Sequence, residues 1–99
     1  MTPKVVFTRQ ARDDLERHYG FLLERDLNAA EKAIERIRRA LSYLSDAPFQ
    51  GRKVDSGSPF LRELVVSFGH TGFVALYEVE SDERIVVLAI RAQREDDYS

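Results

Sequence analysis

Cysteine and tryptophan are absent from these 99 residues. Without cysteine there is no disulfide framework, no thiolate metal site and no thiol nucleophile, which suits a cytoplasmic protein. Long apolar runs are also missing, since a membrane-spanning helix needs about 20 such residues, and Met1 to Thr8 lacks the apolar core of a secretory signal. No membrane association is expected. A basic excess is missing too: the net charge is −2, whereas a free-standing nucleic-acid binder draws most of its affinity from phosphate neutralisation. That charge is unevenly spread. Residues 1 to 53 carry eleven Lys or Arg against eight Asp or Glu, and residues 54 to 99 carry four against nine. Proline and glycine are scarce, and two of the three prolines bound the one long irregular stretch, at positions 48 and 59. With 43% hydrophobic residues, the expectation is a single domain over 1–99.

What is present reads as alternating helical and strand periodicity. Lys4 to Phe7 is a short strand rich in β-branched residues. Thr8 then suits a helix N-cap, and Ala11, Leu15, Tyr19 and Leu22 recur every three or four residues to about Arg25, on one amphipathic stripe. Asp26, Leu27 and Asn28 interrupt it. Asn28 with Glu31 resembles a capping box opening a second helix, whose stripe of Ala30, Ala33, Ile34, Ile37, Leu41 and Leu44 continues to about Ser45. So short a turn folds the two helices back antiparallel, and Pro48 stops the second.

Phe49 to Pro59 follows as a loop, then three alternating segments. Phe60 to Phe68 places Phe60, Arg62, Leu64, Val66 and Phe68 on one face. GHTG at 69–72 is a tight connection, Phe73 to Glu80 returns, and Arg84 to Arg91 closes with Val86, Leu88 and Ile90 on one face. The predicted fold is α+β in the order β-α-α-β-β-β, an N-terminal helical hairpin packed on an antiparallel β-meander.

This order, with the segments ARDDLERHYGFLLE, ERIRRALSYLSDAPFQGRKV, FLRELVV, GFVALYEV and IVVLAIRAQREDDY, resembles the RelE/ParE superfamily of bacterial toxins from type II toxin-antitoxin systems, plasmid-stabilisation proteins among them. The resemblance covers nearly the whole chain. It implies a toxin that arrests growth, neutralised by a cognate antitoxin whose amphipathic C-terminal segment wraps it, and it implies operator-DNA contact only through that antitoxin. Which residues would bind the antitoxin is not indicated.

The superfamily has two branches with different chemistry. RelE-like members cut mRNA on the ribosome by activating a 2′-hydroxyl against the adjacent phosphate, which needs a base, surrounding cations and a proton donor. Resemblance to them makes Arg94, Tyr98, Arg52 and Lys53 the catalytic candidates if the chain is an endoribonuclease, although Arg94 and Tyr98 are more closely spaced here. The Arg that those enzymes carry two residues after the turn glycine is Val74, counted from Gly72, and an aliphatic side chain cannot stabilise phosphate charge. ParE-like members are associated with poisoning DNA gyrase without chemistry of their own. The long hairpin, Val74 and the acidic balance favour that branch, with Arg62, Arg91, Arg94 and Tyr98 as target-binding candidates. Ribosome-bound mRNA is the alternative target, and a non-toxic member that only binds antitoxin is a third reading. No cofactor and no metal are expected.

Each candidate has a plainer role open to it. Arg94 can pair with Glu95, Asp96 or Asp97, exposed contacts worth about 0–1 kcal/mol. Arg62 can snorkel from beneath the core. Arg36, Arg38 and Arg39 read as a solvated helix face, and the carboxylates at 95–97 have no second cluster to complete a metal shell. His70 reads as a turn residue and His18 as a boundary residue of the first helix.

Overall fold

The computed structural model describes residues 2–54, 57–69 and 71–93. Its elements are β1 (Lys4–Phe7), α1 (Arg9–Leu23), α2 (Leu27–Ser42) continued by a 3-10 turn (Tyr43–Ser45), β2 (Arg52–Lys53), β3 (Leu61–Phe68), β4 (Thr71–Ser81) and β5 (Arg84–Ala92). The α+β expectation is met, with more sheet than predicted. Five strands form one mixed sheet in the order β1-β5-β4-β3-β2. β3, β4 and β5 are the antiparallel meander; β1 adds parallel to β5, Lys4 opposite Arg84 through Phe7 opposite Val87. A two-residue strand, β2, arises inside the predicted loop, with Arg52 opposite Glu63 and Lys53 opposite Arg62.

Both helices lie on one sheet face, and the core fills the space between them. Ala33, Ile37, Leu41 and Leu44 from the second helix and its 3-10 turn meet Phe73, Ala75, Tyr77 and Val79 of β4 and Ile85, Val87 and Ile90 of β5, all buried. The α2 stripe therefore buries as predicted. Its N-cap is Asp26 rather than Asn28: the Asp26 carboxylate accepts from the Asn28 and Ala29 amides at 2.9 and 3.4 Å. A carboxylate at that point also meets the positive end of the helix dipole.

The α1 stripe needs a larger correction. Ala11 is buried, but the other two buried positions are Asp14 and His18, not Tyr19. The strand faces of β5 also differ from simple alternation. A register shift separates the pairs Leu76–Ala89 and Tyr77–Val87, so two β5 residues occupy the space of one and Leu88 is left over. Ile85, Val87 and Ile90 consequently share the core face, in place of Val86, Leu88 and Ile90. Such a bulge changes the phase of every residue after it.

Thr8 ties the bulge to the helix start. Its amide donates to the Val87 carbonyl at 3.0 Å, its hydroxyl donates to the Leu88 carbonyl at 3.0 Å, and the same oxygen accepts from the Ala11 amide at 3.1 Å. Thr8→Ala is expected to lower the unfolding free energy by about 1–2 kcal/mol, whereas Thr8→Ser keeps both bonds and stays within about 0.5 kcal/mol of the parent. Urea denaturation of the two variants checks this.

Candidate functional site

With the helices on one face, the other face of the sheet is the place where polar groups of β2 to β5 can converge. Cross-strand partners point to the same side, so the register decides which candidates share it. Arg91 stands opposite Val74, and Val74 stands opposite Val65. This row crosses three strands on the helix-free face. Arg91 is exposed, Val65 is 40% exposed and Val74 only 7%, so a cation rises from an apolar strip.

Arg52 shares that face but not that location. Its Nε donates to Glu63 Oε1 at 3.1 Å, and three strand spacings put its backbone roughly 15 Å from that of Arg91. Lys53 is exposed and, as the partner of Arg62, turns to the opposite side from Arg52. The predicted cations are thus divided between two sides of the sheet. Arg94 and Tyr98, together with His70, lie outside the described residues.

Arg62 is engaged in building a loop. Its Nε donates to the Pro59 carbonyl at 2.9 Å, its Nη1 donates to the Gly51 carbonyl at 3.1 Å, and the guanidinium lies 5.1 Å from the Phe49 ring centroid. Tyr77 supports the same loop from below. Its hydroxyl donates to the Pro48 carbonyl at 2.8 Å and accepts from the Gly51 amide at 3.0 Å. Burial pushes the Tyr77 hydroxyl above its ordinary pKa, opposed by the Gly51 hydrogen bond and by the Arg62 charge. Phe49 and Phe60 remain half exposed on the loop, with ring centroids 6.1 Å apart.

A third feature lies at the far end of β5, and it corrects the reading of His18 as a boundary residue. Asp14 and His18 are 4% and 5% exposed, one helical turn apart on α1. Asp14 Oδ2 accepts the Ile90 amide at 2.8 Å, and His18 Nε2 donates to the Ile90 carbonyl at 2.7 Å. Gln10 donates to Asp14 Oδ1 at 2.8 Å and Arg17 lies 3.4 Å from it, while the His18 ring lies 5.2 Å from that of Phe73. The signal was in the sequence: positions 11, 14 and 18 have the spacing of a core stripe, and a polar residue on such a stripe needs a buried partner.

The outer side of the helical hairpin carries a groove of about 500 Å³ lined by Leu15, Tyr19, Ile34 and Arg38, with Glu16, Glu31 and Glu35 at its rim. A neighbouring depression, sharing Leu15 and Arg38, reaches Val5 and Phe7 of edge strand β1. Apolar residues at the base and charges at the rim are what an amphipathic segment matches. No helix among the described residues is long and apolar enough to cross a membrane.

Comparison with known proteins agrees with this architecture. The chain is 34% identical over 79 residues to Toxin RelE1 of Caulobacter vibrioides, covering 80% of this chain and 82% of that protein. Toxin RelE3 of the same organism is 37% identical over 82 residues, covering 83% and 85%. A solved structure described as a chromosomal ParDE TA system from P. aeruginosa superposes with a TM-score of 0.71 at 24% identity, covering 92% of this chain and 96% of the other, and supports the fold. Residues 5–97 match the family model for the ParE toxin of the type II toxin-antitoxin system parDE. The chain belongs to this ParE toxin family, within the RelE/ParE superfamily of type II toxin-antitoxin toxins.

Proposed function

We propose that this toxin acts in the cytoplasm by binding DNA gyrase, performing no chemistry of its own, and that the Arg91 end of the helix-free sheet face contributes to target recognition. Val74 carries the argument. It stands buried between Arg91 and Val65, where a phosphate-cutting site would need a second cation. The ion pair of Arg52 with Glu63 and the opposed directions of Arg52 and Lys53 point the same way, because cations that do not converge cannot share one transition state. An apolar strip with an exposed arginine instead has the composition of a hot spot for a protein target. Arg94 and Tyr98, which follow Arg91 in the sequence, are the further candidates for target contact.

The expected result with purified gyrase is inhibition of supercoiling together with trapped cleavage complexes, and an Arg91→Ala variant should need at least tenfold more protein for the same effect. Unaffected supercoiling and no cleavage complex would remove the gyrase assignment. The names of the two Caulobacter relatives favour a second reading, a RelE-like ribosome-dependent endoribonuclease using Arg52, Lys53, Arg94 and Tyr98. Cleavage of message on translating ribosomes is its test. The cognate antitoxin is expected to lay an amphipathic segment into the groove over Leu15, Tyr19 and Ile34.

A further inference from the structure

We infer that Asp14 and His18 are positioning residues for target recognition: by holding the backbone amide and the backbone carbonyl of Ile90, they fix the phase of β5 that sends Arg91 to the helix-free face. The inference rests on Arg91 belonging to the recognition surface proposed above. β1 ends at Phe7, opposite Val87, whereas β5 runs to Ala92. Beyond Val87 the β1 side of β5 has no strand to pair with among the described residues, and side chains from the N-cap and body of α1 take over: Thr8 for the Leu88 carbonyl, Asp14 for the Ile90 amide, His18 for the Ile90 carbonyl.

Phase is what these bonds control. Ile85 and Val87 face the core, and unbroken alternation would send Ala89 and Arg91 inward after them. That would bury a guanidinium beneath α1 and turn Ile90 out to solvent. The bulge at Leu88 adds one residue, so Ile90 faces the core and Arg91 faces out, opposite Val74. A bulge in a segment that is paired on its β4 side alone has little to hold it, because the extra residue disrupts the ladder. The three α1-side bonds supply that hold. His18 must donate through Nε2 to reach a carbonyl, so the ring carries a hydrogen on Nε2 here. α1 thus does two jobs: one side lines the groove through Leu15, Glu16 and Tyr19, and the other sets the recognition end of β5.

The test compares the parent chain with His18→Leu, His18→Gln and Arg91→Ala, each induced without antitoxin. Growth arrest, thermal unfolding and amide hydrogen exchange are measured. Glutamine can place an amide N–H near the position of Nε2, so it serves as the conservative rescue. Expected are a protected Ile90 amide in the parent, exchange at Ile90 at least tenfold faster in His18→Leu with the β3–β4 amides unchanged, and loss of arrest in His18→Leu and Arg91→Ala but not in His18→Gln. A folded His18→Leu chain that arrests growth like the parent overturns the inference. So does a parent Ile90 amide that exchanges like an exposed one, a measurement that stands even if His18→Leu does not fold. Full arrest by Arg91→Ala, with Ile90 protected in the parent, instead removes Arg91 from the recognition surface and leaves the clamp as a structural feature. A parent chain that arrests nothing sinks the functional reading and this assignment with it.

Discussion

Tyr77→Ala should lower the unfolding free energy by about 3–5 kcal/mol, the range for removing a large buried ring, and Tyr77→Phe by about 1–3 kcal/mol. The difference separates packing from hydrogen bonding at one residue. Tyr77 is fully buried, and its ring belongs to the core beneath the helices. Its hydroxyl is the only partner shown for the Gly51 amide and the Pro48 carbonyl among the described residues, so phenylalanine leaves both without it. Gly51→Ala strikes the same point from the other side. A Cβ there would lie 2.6 Å from the Glu63 carbonyl oxygen and 2.7 Å from the Tyr77 hydroxyl, and overpacking of this kind costs about 1–3 kcal/mol. Because both changes act on one contact, the double variant should cost less than the two single effects added. Relief stays partial, since the Glu63 carbonyl belongs to the backbone of β3 and cannot move aside. Urea titrations with an unchanged m-value would support these figures.

Tyr77 also gives the fold an alkaline limit. Its pKa is raised in the folded chain, chiefly by burial, so the folded state holds its proton where the unfolded state releases it. The resulting stabilisation is fully present below the ordinary tyrosine value of 10.0 and is lost as pH rises through the folded value. Unfolding free energy measured from pH 9 upward should therefore fall for the parent, and Tyr77→Phe should lack that component. An identical alkaline slope in both chains would show that the hydroxyl does not contribute.

Sequence periodicity was enough for the layers and not for the sheet's phase. The α2 stripe and the three-strand meander were legible because their apolar spacing is regular and they are joined by short turns. β1 was legible as a strand, but its parallel place beside β5 depends on a contact between residues about 80 positions apart, which no local pattern encodes. The bulge at Leu88 was hidden for a related reason. Arg84 to Ala92 is apolar at nearly every position, so either phase satisfies hydrophobic alternation, and polar side chains on another element decide between them.

The site divides along the same line. Arg91 was legible as an exposed cation at a strand end, and Val74 as an aliphatic residue where a cation was expected. Arg62 looked like a surface candidate because nothing in its neighbourhood predicts that Pro59 and Gly51 would present carbonyls to it. Asp14 was overlooked because one of two adjacent aspartates on an amphipathic helix reads as solvated, although Asp13 is exposed and Asp14 is buried. The two differ by one position, and 100° of helical rotation separates sheet from solvent.

Asp14→Ala provides the second large effect, a loss of about 2–3 kcal/mol, because a hydrogen bond to a charged group is removed and the Ile90 amide is left buried without an acceptor. Among the described residues three contacts converge on this carboxylate, and their contributions can be separated. Arg17 is 52% exposed in its ion pair with Asp14, so Arg17→Ala should cost no more than about 1 kcal/mol. Asp14→Asn keeps one acceptor for Ile90, and turns an amide N–H₂ toward Gln10 and Arg17, where Gln10 can reverse its own amide but Arg17 cannot adapt. A cost of about 1 kcal/mol is expected for it. The order Ala, then Asn, then Arg17→Ala would place most of the energy in the backbone bond. If Arg17→Ala matched Asp14→Ala, the carboxylate would be acting as an ion-pair partner, and the end of β5 would have to be held by Thr8 and His18 alone. Hydrogen exchange makes the same distinction locally: Asp14→Ala should expose the Ile90 amide before the β3–β4 ladder opens, because the lost acceptor served the β1 side of β5, where past Val87 no strand among the described residues pairs with it.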